Sequence, residues 1–223
     1  MTLTRSAYGW VLPRSDKHFA AYLANAPKVE GRRMYQPQHI QTALARCAQR
    51  RVAVDAGAHV GMWSFYLARA FGAVHAFEPA ALMCHCFEKN VEAKNVVLHR
   101  VALGNRSGKV KSEVVADNTG ASFVSESADG DVPLRQLDEY ALPELDLLKV
   151  DVEGYERFVL EGARETLLRC RPLVLIEQKP FSARYGVAQY DALEYLQSLG
   201  AVLVDRVVED FLLGWPVPAE AGN

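Results

Sequence analysis

The stretch Val52-Ala-Val-Asp-Ala-Gly-Ala-His-Val-Gly-Met-Trp-Ser64 restricts the chain to few folds. A β-branched run closes on Asp55, a tight turn carries Gly57 and Gly61, and an amphipathic segment runs from Met62 to Phe71. Val74-His-Ala-Phe-Glu-Pro79 then reads as a second strand closing on an acid. Strand, glycine turn, helix, strand, acid opens an open α/β sheet and is the layout of a nucleotide-type cofactor site.

The rest of the chain keeps that rhythm. Strands are expected at 52–55, 73–77, 96–100, 146–150 and 172–176, with helices at 61–71, 80–93, 154–169 and 189–199. The later strands are near-continuous apolar runs, as in Leu173-Val-Leu-Ile176, which a sheet covered by helices on both faces requires. Between 105 and 135 the alternation breaks. Lys109–Val115 and Ser122–Ser125 flank Asp117-Asn-Thr-Gly120 and read as an inserted β-hairpin. Ala201–Asp205 and Phe211–Gly214 suggest a terminal antiparallel pair. The expected fold is α/β, a mostly parallel twisted sheet with helices on both faces.

Residues 1–50 read as a helical cap that serves the substrate, and residues 51–223 as the catalytic domain. Asp16 is placed to cap a helix through His18–Leu23, and Gln38–Cys47 has helical spacing at Ile40, Leu44 and Cys47. The polar linker from Pro27 to Pro37 reads as a mobile flap.

Half of the 223 residues are hydrophobic and 23% are charged, so a packed domain is affordable and disorder is excluded. The formal charge of −2 and the absence of a basic tract weigh against a nucleic-acid surface. Cys47, Cys84, Cys86 and Cys170 form no disulfide framework. No apolar run nears the roughly 20 residues that span a bilayer, and no secretory signal is visible. A cytoplasmic location without membrane partners is therefore expected. Oligomeric state has no sequence signature here.

The polar residues fall on one edge of the sheet. Asp55 ends the first strand and Glu78 the second, Lys149 and Asp151 end the fourth, and Glu177 and Gln178 the fifth. Ligands of open α/β sheets bind outside these carboxyl ends, where the strand order reverses. Gly57 and Gly61 would let backbone approach a ligand beside a helix N-terminus. Glu78 suits two ribose hydroxyls. The turn lacks the full G-x-G-x-x-G fingerprint, with His59 inside it, and no G-x-x-x-x-G-K-[ST] phosphate loop occurs. A ribose without a phosphate to cradle fits S-adenosylmethionine better than NAD. A plain packing turn between strand and helix is the competing explanation.

These residues resemble a known family. Val54–Gly61, Phe77-Glu-Pro79, Asn90, Val101-Ala-Leu-Gly104, Leu137-Asp138, Leu147–Glu156, Val159–Ala163 and Pro172–Glu177 are similar to the FkbM family of class I S-adenosylmethionine-dependent methyltransferases. The similarity covers about residues 51–180, and Lys149-Val-Asp-Val-Glu-Gly154 is its most specific part. It implies a Rossmann-like sheet with one antiparallel strand near its edge, S-adenosylmethionine as cofactor, S-adenosylhomocysteine as product, and O-methylation of hydroxyls on sugars, polyketides and similar small molecules. His59 stands where that turn is expected to hold asparagine. The cofactor-contacting set becomes Asp55, Gly57, His59, Gly61, Glu78, Ala102 and Asp151.

Methyl transfer needs the acceptor oxygen aligned behind the methyl group and its proton removed. Asp151 ranks first and Glu177 second as the base, with Glu153 beside them, since neighbouring buried carboxylates hold raised pKa values. Capping of the helix at 154–169 by Asp151, with Glu153 in its first turn, explains the same residues structurally. The acids could also hold a divalent metal, which is not the favoured reading. His59 fits a cofactor contact better than a base. Cys84-His-Cys86 lacks the second ligand pair zinc needs. Tyr8, Trp10, Tyr35 and Trp215 are packing residues first and acceptor-pocket residues second. Asn118, Gly120 and Ser122 are turn residues that could reach over the cleft. Two other functions stay open: methylation of RNA or protein, and a non-catalytic cofactor-binding module on the same fold.

Overall fold

The computed structural model describes residues 3–127 and 129–216. Its first part holds the two expected helices and, in addition, two hairpins. β1 (Thr4–Ala7) pairs antiparallel with β2 (Trp10–Pro13), followed by α1 (His18–Asn25). The segment read as a mobile flap contains a small hairpin, β3 (Lys28–Val29) with β4 (Arg32–Arg33), ahead of α2 (Pro37–Arg46). Arg33 pins that hairpin by donating from Nη1 to the Ala26 carbonyl at 2.5 Å, while its amide donates to the Tyr8 carbonyl at 3.0 Å.

The alternating part follows as β5 (Val52–Ala56), α3 (Met62–Ala70), β6 (Ala73–Phe77), α4 (Ala81–Asn90) and β7 (Val96–His99). After β8 (Ala102–Leu103), β9 (Gly108–Glu113), β10 (Phe123–Ser125) and β11 (Val132–Arg135) come β12 (Leu147–Val150), α5 (Glu156–Glu161), α6 (Arg164–Cys170), β13 (Leu173–Glu177), α7 (Asp191–Ser198), β14 (Val202–Val207) and β15 (Asp210–Gly214). The main sheet has the order β14-β15-β13-β12-β5-β6-β7. Only β15 runs against its neighbours. The chain leaves β5 towards β7 and returns on the other side at β12, so the strand order reverses between β5 and β12.

Side chains alternate between two cores, as a sheet covered on both faces demands. Val54, Leu148, Val150, Val174 and Ile176 pack with Val159, Leu160, Leu167 and Leu196 of α5, α6 and α7. Ala53, Leu147 and Leu175 pack on the opposite face with α3 and with Trp10, Leu12, Phe19, Leu23 and Ile40 from the first 50 residues. Each large apolar side chain so buried contributes about 1.5–3 kcal/mol. Asn90, one of the residues carrying the family resemblance, fastens the two parts together. Its Oδ1 accepts the Val11 amide at 2.7 Å, and its Nδ2 donates to the carbonyls of Val11 and Val60 at 2.9 and 2.8 Å.

Two expectations are corrected. The inserted hairpin, β9 with β10, belongs to a four-stranded sheet in the order β10-β9-β11-β8. The helix expected over 154–169 is two helices. The Gly162 carbonyl accepts the Asp138 amide at 3.0 Å instead of continuing the helical ladder. The Asp138 carboxylate then restarts it, accepting the amides of Glu165 and Thr166 at 3.0 and 2.9 Å. No helix among the described residues is long and apolar enough to cross a membrane.

Candidate active site

The strand-end acids gather where the strand order reverses. Asp55 and Lys149 are register partners on β5 and β12. Both are buried, with Lys149 Nζ 3.0 Å from Asp55 Oδ1. Nζ also donates to the Gly57 carbonyl at 3.1 Å and lies 3.6 Å from Asp151 Oδ2. Burial alone would depress this ammonium, but Asp55 and Asp151 outweigh it and hold Lys149 well above the ordinary lysine range. Asp55 Oδ2 accepts the Ser64 hydroxyl at 2.7 Å. Asp55 thus holds Lys149 and the start of α3, and it borders neither of the two clefts described below.

A side chain at either glycine would meet the protein's own packing. Gly57 has φ +78, and a Cβ there would stand 1.9 Å from the Asp151 carbonyl oxygen. Gly61, at φ +89, would press on Val91 and Phe87 at 2.6 and 2.9 Å. Gly57 does border both clefts described below, whereas Gly61 borders neither.

Glu78 follows β6 and is buried. Its Oε2 accepts the His59 amide and its Oε1 the Ala80 amide, both at 2.8 Å. Burial raises its pKa to about 7 against the pull of those two amides and Lys149. It lies in the first cleft, about 640 Å³ out to the open mouth, among Phe77, Met83, Val101, Ala102 and Leu103. A carboxylate in an apolar slot offers an acceptor to a ribose diol and a wall to an attached flat ring, so Glu78 and Ala102 fit the cofactor expected from the sequence.

The second cleft, about 770 Å³, shares Gly57, His59, Gly120, Asp151 and Glu153 with the first. Its further lining includes Phe19, Tyr35, Trp63, Lys149, Glu177 and Lys179. Carboxylate oxygens of Asp151, Glu153 and Glu177 lie within 4.8 Å of one another, and no other His, Cys, Asp or Glu cluster of this kind occurs among the described residues. Lys179 Nζ is 2.5 Å from Glu177 Oε1. Burial, with the Asp151 charge second, raises Glu177 to about 10 and Glu153 to about 8. Asp210, opposite Glu177 on β15, is raised to about 7 by burial and lies 3.6 Å from His39.

Capping at the end of β12 is not done by Asp151. α5 has no side-chain cap; Glu156 instead ties down the turn ahead of it, its Oε1 accepting the amides of Val152 and Gly154 at 3.1 and 3.0 Å. Glu153 sits before the helix in a left-handed conformation, φ 56, which side-chain-bearing residues seldom adopt.

His59 is also left-handed, φ 49. Its Nε2 is 2.8 Å from Thr119 Oγ1, and its ring stacks on Phe19 at 4.8 Å. The Thr119 hydroxyl donates to Asp16 Oδ2, so it must accept from an Nε2–H of His59. Burial lowers His59 to about 4, which leaves the ring neutral with Nδ1 unprotonated. Asp16 is fully buried and accepts two amides as well, Phe19 at 2.8 Å and Thr119 at 2.9 Å. A helix-capping signal thus concealed a residue that joins the N-terminal part to the inserted sheet over the cleft. Gly120 and Ser122 line the first cleft, and Asn118 and Gly120 the second.

The other sequence candidates disperse. Trp10 is buried in the core with Phe65, Tyr8 is exposed, and Trp215 donates to the Pro172 carbonyl at 2.9 Å. Cys84 and Cys86 are buried separately from the exposed His85. Lys179 and Phe181 were not singled out because they lie in the loop past β13, and only the strand order brings them under the cleft.

Comparisons with known proteins agree with this geometry. A family model described as the methyltransferase FkbM domain matches residues 55–203. The chain is 29% identical over 142 residues to Methyltransferase 1 of Beauveria bassiana (strain ARSEF 2860), covering 49% of this chain and 57% of that protein. The solved structure of methyltransferase FkbM from Methylobacillus flagellatus KT superposes with a TM-score of 0.51 at 17% identity, over 75% of this chain and 44% of its own. The chain thus spans about half the length of these relatives. Its fold is the Rossmann-like fold of class I methyltransferases.

Proposed function

The chain belongs to the FkbM methyltransferase family, and we propose that it transfers a methyl group from S-adenosylmethionine to a hydroxyl of a small molecule or glycan. The observation that carries this reading is Glu78, a buried carboxylate held by two amides in an apolar slot that opens onto a second cleft lined with acids. S-adenosylmethionine, when bound, supplies an electrophilic methyl on a sulfonium. Glu78 and Ala102 would hold the nucleoside end, and Gly57, His59 and Asp151 border the passage between the clefts.

In the second cleft Glu177 or Asp151 would take the hydroxyl proton. Burial and the neighbouring Asp151 charge raise Glu177, which strengthens it as a proton acceptor once it is ionised. Phe19, Tyr35 and Trp63 give the acceptor apolar walls. Residues 1–50 supply several of these, which supports their reading as the substrate segment. Both clefts are open, not filled by side chains, which supports an active enzyme over a non-catalytic module.

Purified protein with methyl-labelled S-adenosylmethionine, offered hydroxyl-bearing small molecules and glycans, RNA and protein in separate fractions, tests the reading. Label is expected in the small-molecule or glycan fraction in an alkali-stable ether. Label confined to RNA or protein overturns the acceptor class, and failure to bind S-adenosylhomocysteine overturns the enzyme reading.

A further inference from the structure

We propose that Asp151, Glu153 and Glu177 form a binding site for one divalent cation of the magnesium, manganese and calcium class, on the floor of the second cleft. The sheet builds the site. Val150 and Ile176 are register partners on the parallel strands β12 and β13, so the residues just beyond them emerge side by side at the switch point. Their carboxylate oxygens lie within 4.8 Å of one another. Oxygens on opposite sides of one ion stand at most about 4.2 Å apart around magnesium and about 5 Å around calcium. A spread of up to 4.8 Å closes on one ion by side-chain adjustment, more for magnesium than for calcium.

Glu153 supplies the second, independent observation. It is 9% exposed, and its Oε2 is shut from solvent with no hydrogen-bond donor facing it. A carboxylate oxygen buried without a partner is costly. Glu153 lines both clefts, so this unpartnered acid stands at the cluster and not elsewhere in the interior.

The charges agree. Two ammonium groups, Lys149 and Lys179, lie among the clustered acids. Lys149 lies nearest Asp55 and Lys179 nearest Glu177, so Glu153 has no cation of its own. A dication would hold Glu153 and Glu177 in their ionised forms. The donors are all carboxylate oxygens without imidazole or thiolate, which selects hard cations over zinc. Three protein ligands leave positions for water or for acceptor oxygens. In that role the site would grip neighbouring hydroxyls of the acceptor, a purpose that rests on the function proposed above, whereas cation binding itself does not.

The test uses the full chain with manganese alone, in the absence of cofactor and acceptor. Electron paramagnetic resonance should count one bound Mn²⁺ per chain, with at least a tenfold loss of affinity in Glu153→Gln and none in Glu126→Gln on the surface. Lys179→Met should tighten binding, because it removes the competing ammonium. Terbium luminescence excited through tryptophan should appear on binding and fall in Trp63→Phe while Mn²⁺ affinity is kept. If Glu153→Gln does not fold, Asp151→Asn provides the same readout. No saturable Mn²⁺ binding up to millimolar concentration, or equal affinity in wild type and a folded Glu153→Gln, overturns the proposal. Methyl transfer with no Mn²⁺ binding would sink the site and leave the methyltransferase reading standing.

Discussion

Replacing Glu78 by glutamine separates its two tasks. In the wild type each carboxylate oxygen receives one backbone amide, His59 on one side and Ala80 on the other, at 2.8 Å. Glutamine offers one oxygen and one NH₂, so either orientation sets a donor against a buried donor. One unsatisfied amide costs about 1–3 kcal/mol of stability. Loss of an ionised acceptor for a ribose hydroxyl costs a further 1.5–3 kcal/mol of binding, roughly, which is about a 10- to 150-fold rise in Kd. Urea unfolding measures the first quantity and titration calorimetry with S-adenosylhomocysteine at pH 8 the second. Burial raises Glu78 to about 7, so the unliganded protein gains from its protonated form below about pH 4.5 and loses that gain as pH rises through about 7. Ribose hydroxyls donate, so binding favours the ionised form. Wild-type affinity should therefore strengthen between pH 6 and 8, and the Glu78→Gln profile should be flat. Wild-type affinity in a cooperatively folded Glu78→Gln refutes the assignment.

Three further outcomes follow from the geometry. Gly57→Ala places a Cβ 1.9 Å from the Asp151 carbonyl at φ +78; the left-handed backbone alone costs about 1–2 kcal/mol, and an unchanged melting temperature would contradict the close approach. Lys149→Met strands Asp55 as a buried charge and should destabilise by about 3–5 kcal/mol, partly restored by Asp55→Asn in the double variant; denaturant titrations of the four proteins decide it. Asp16→Ala removes the acceptor for the amides of Phe19 and Thr119 and for the Thr119 hydroxyl. It should cost at least about 2 kcal/mol and speed proteolysis around residue 17, and cleavage at the wild-type rate would argue against the seam.

The sheet was legible because apolar runs such as Leu173–Ile176 end in acids, a pattern packing alone does not produce. Glu78, Asp151 and Glu177 could be placed on one edge for the same reason. Gly57 was legible as a special position, but its cause was not. The atom that forbids a Cβ, the Asp151 carbonyl oxygen, is 94 positions away and arrives only when β12 pairs with β5. β11 escaped notice because Pro133 interrupts a four-residue strand. The split of α5 from α6 depends on Asp138, whose carboxylate reaches across from another element. Glu153 read as a first-turn helix acid, but α5 starts only at Glu156, and a left-handed φ leaves no mark in the sequence. Asp16 shows that one signal can carry two roles, since its second set of partners lies 103 positions on.

The clamp at Asn90 touches only main chain in Val11 and Val60. An anchor that reads amides and carbonyls is indifferent to the side chains of the strand it grips. The side chain at Val11 can therefore change while this clamp stays in place, whereas Trp10 and Leu12 on either side are committed to the core. Phe19 and Tyr35, which line the second cleft, take no part in the clamp itself.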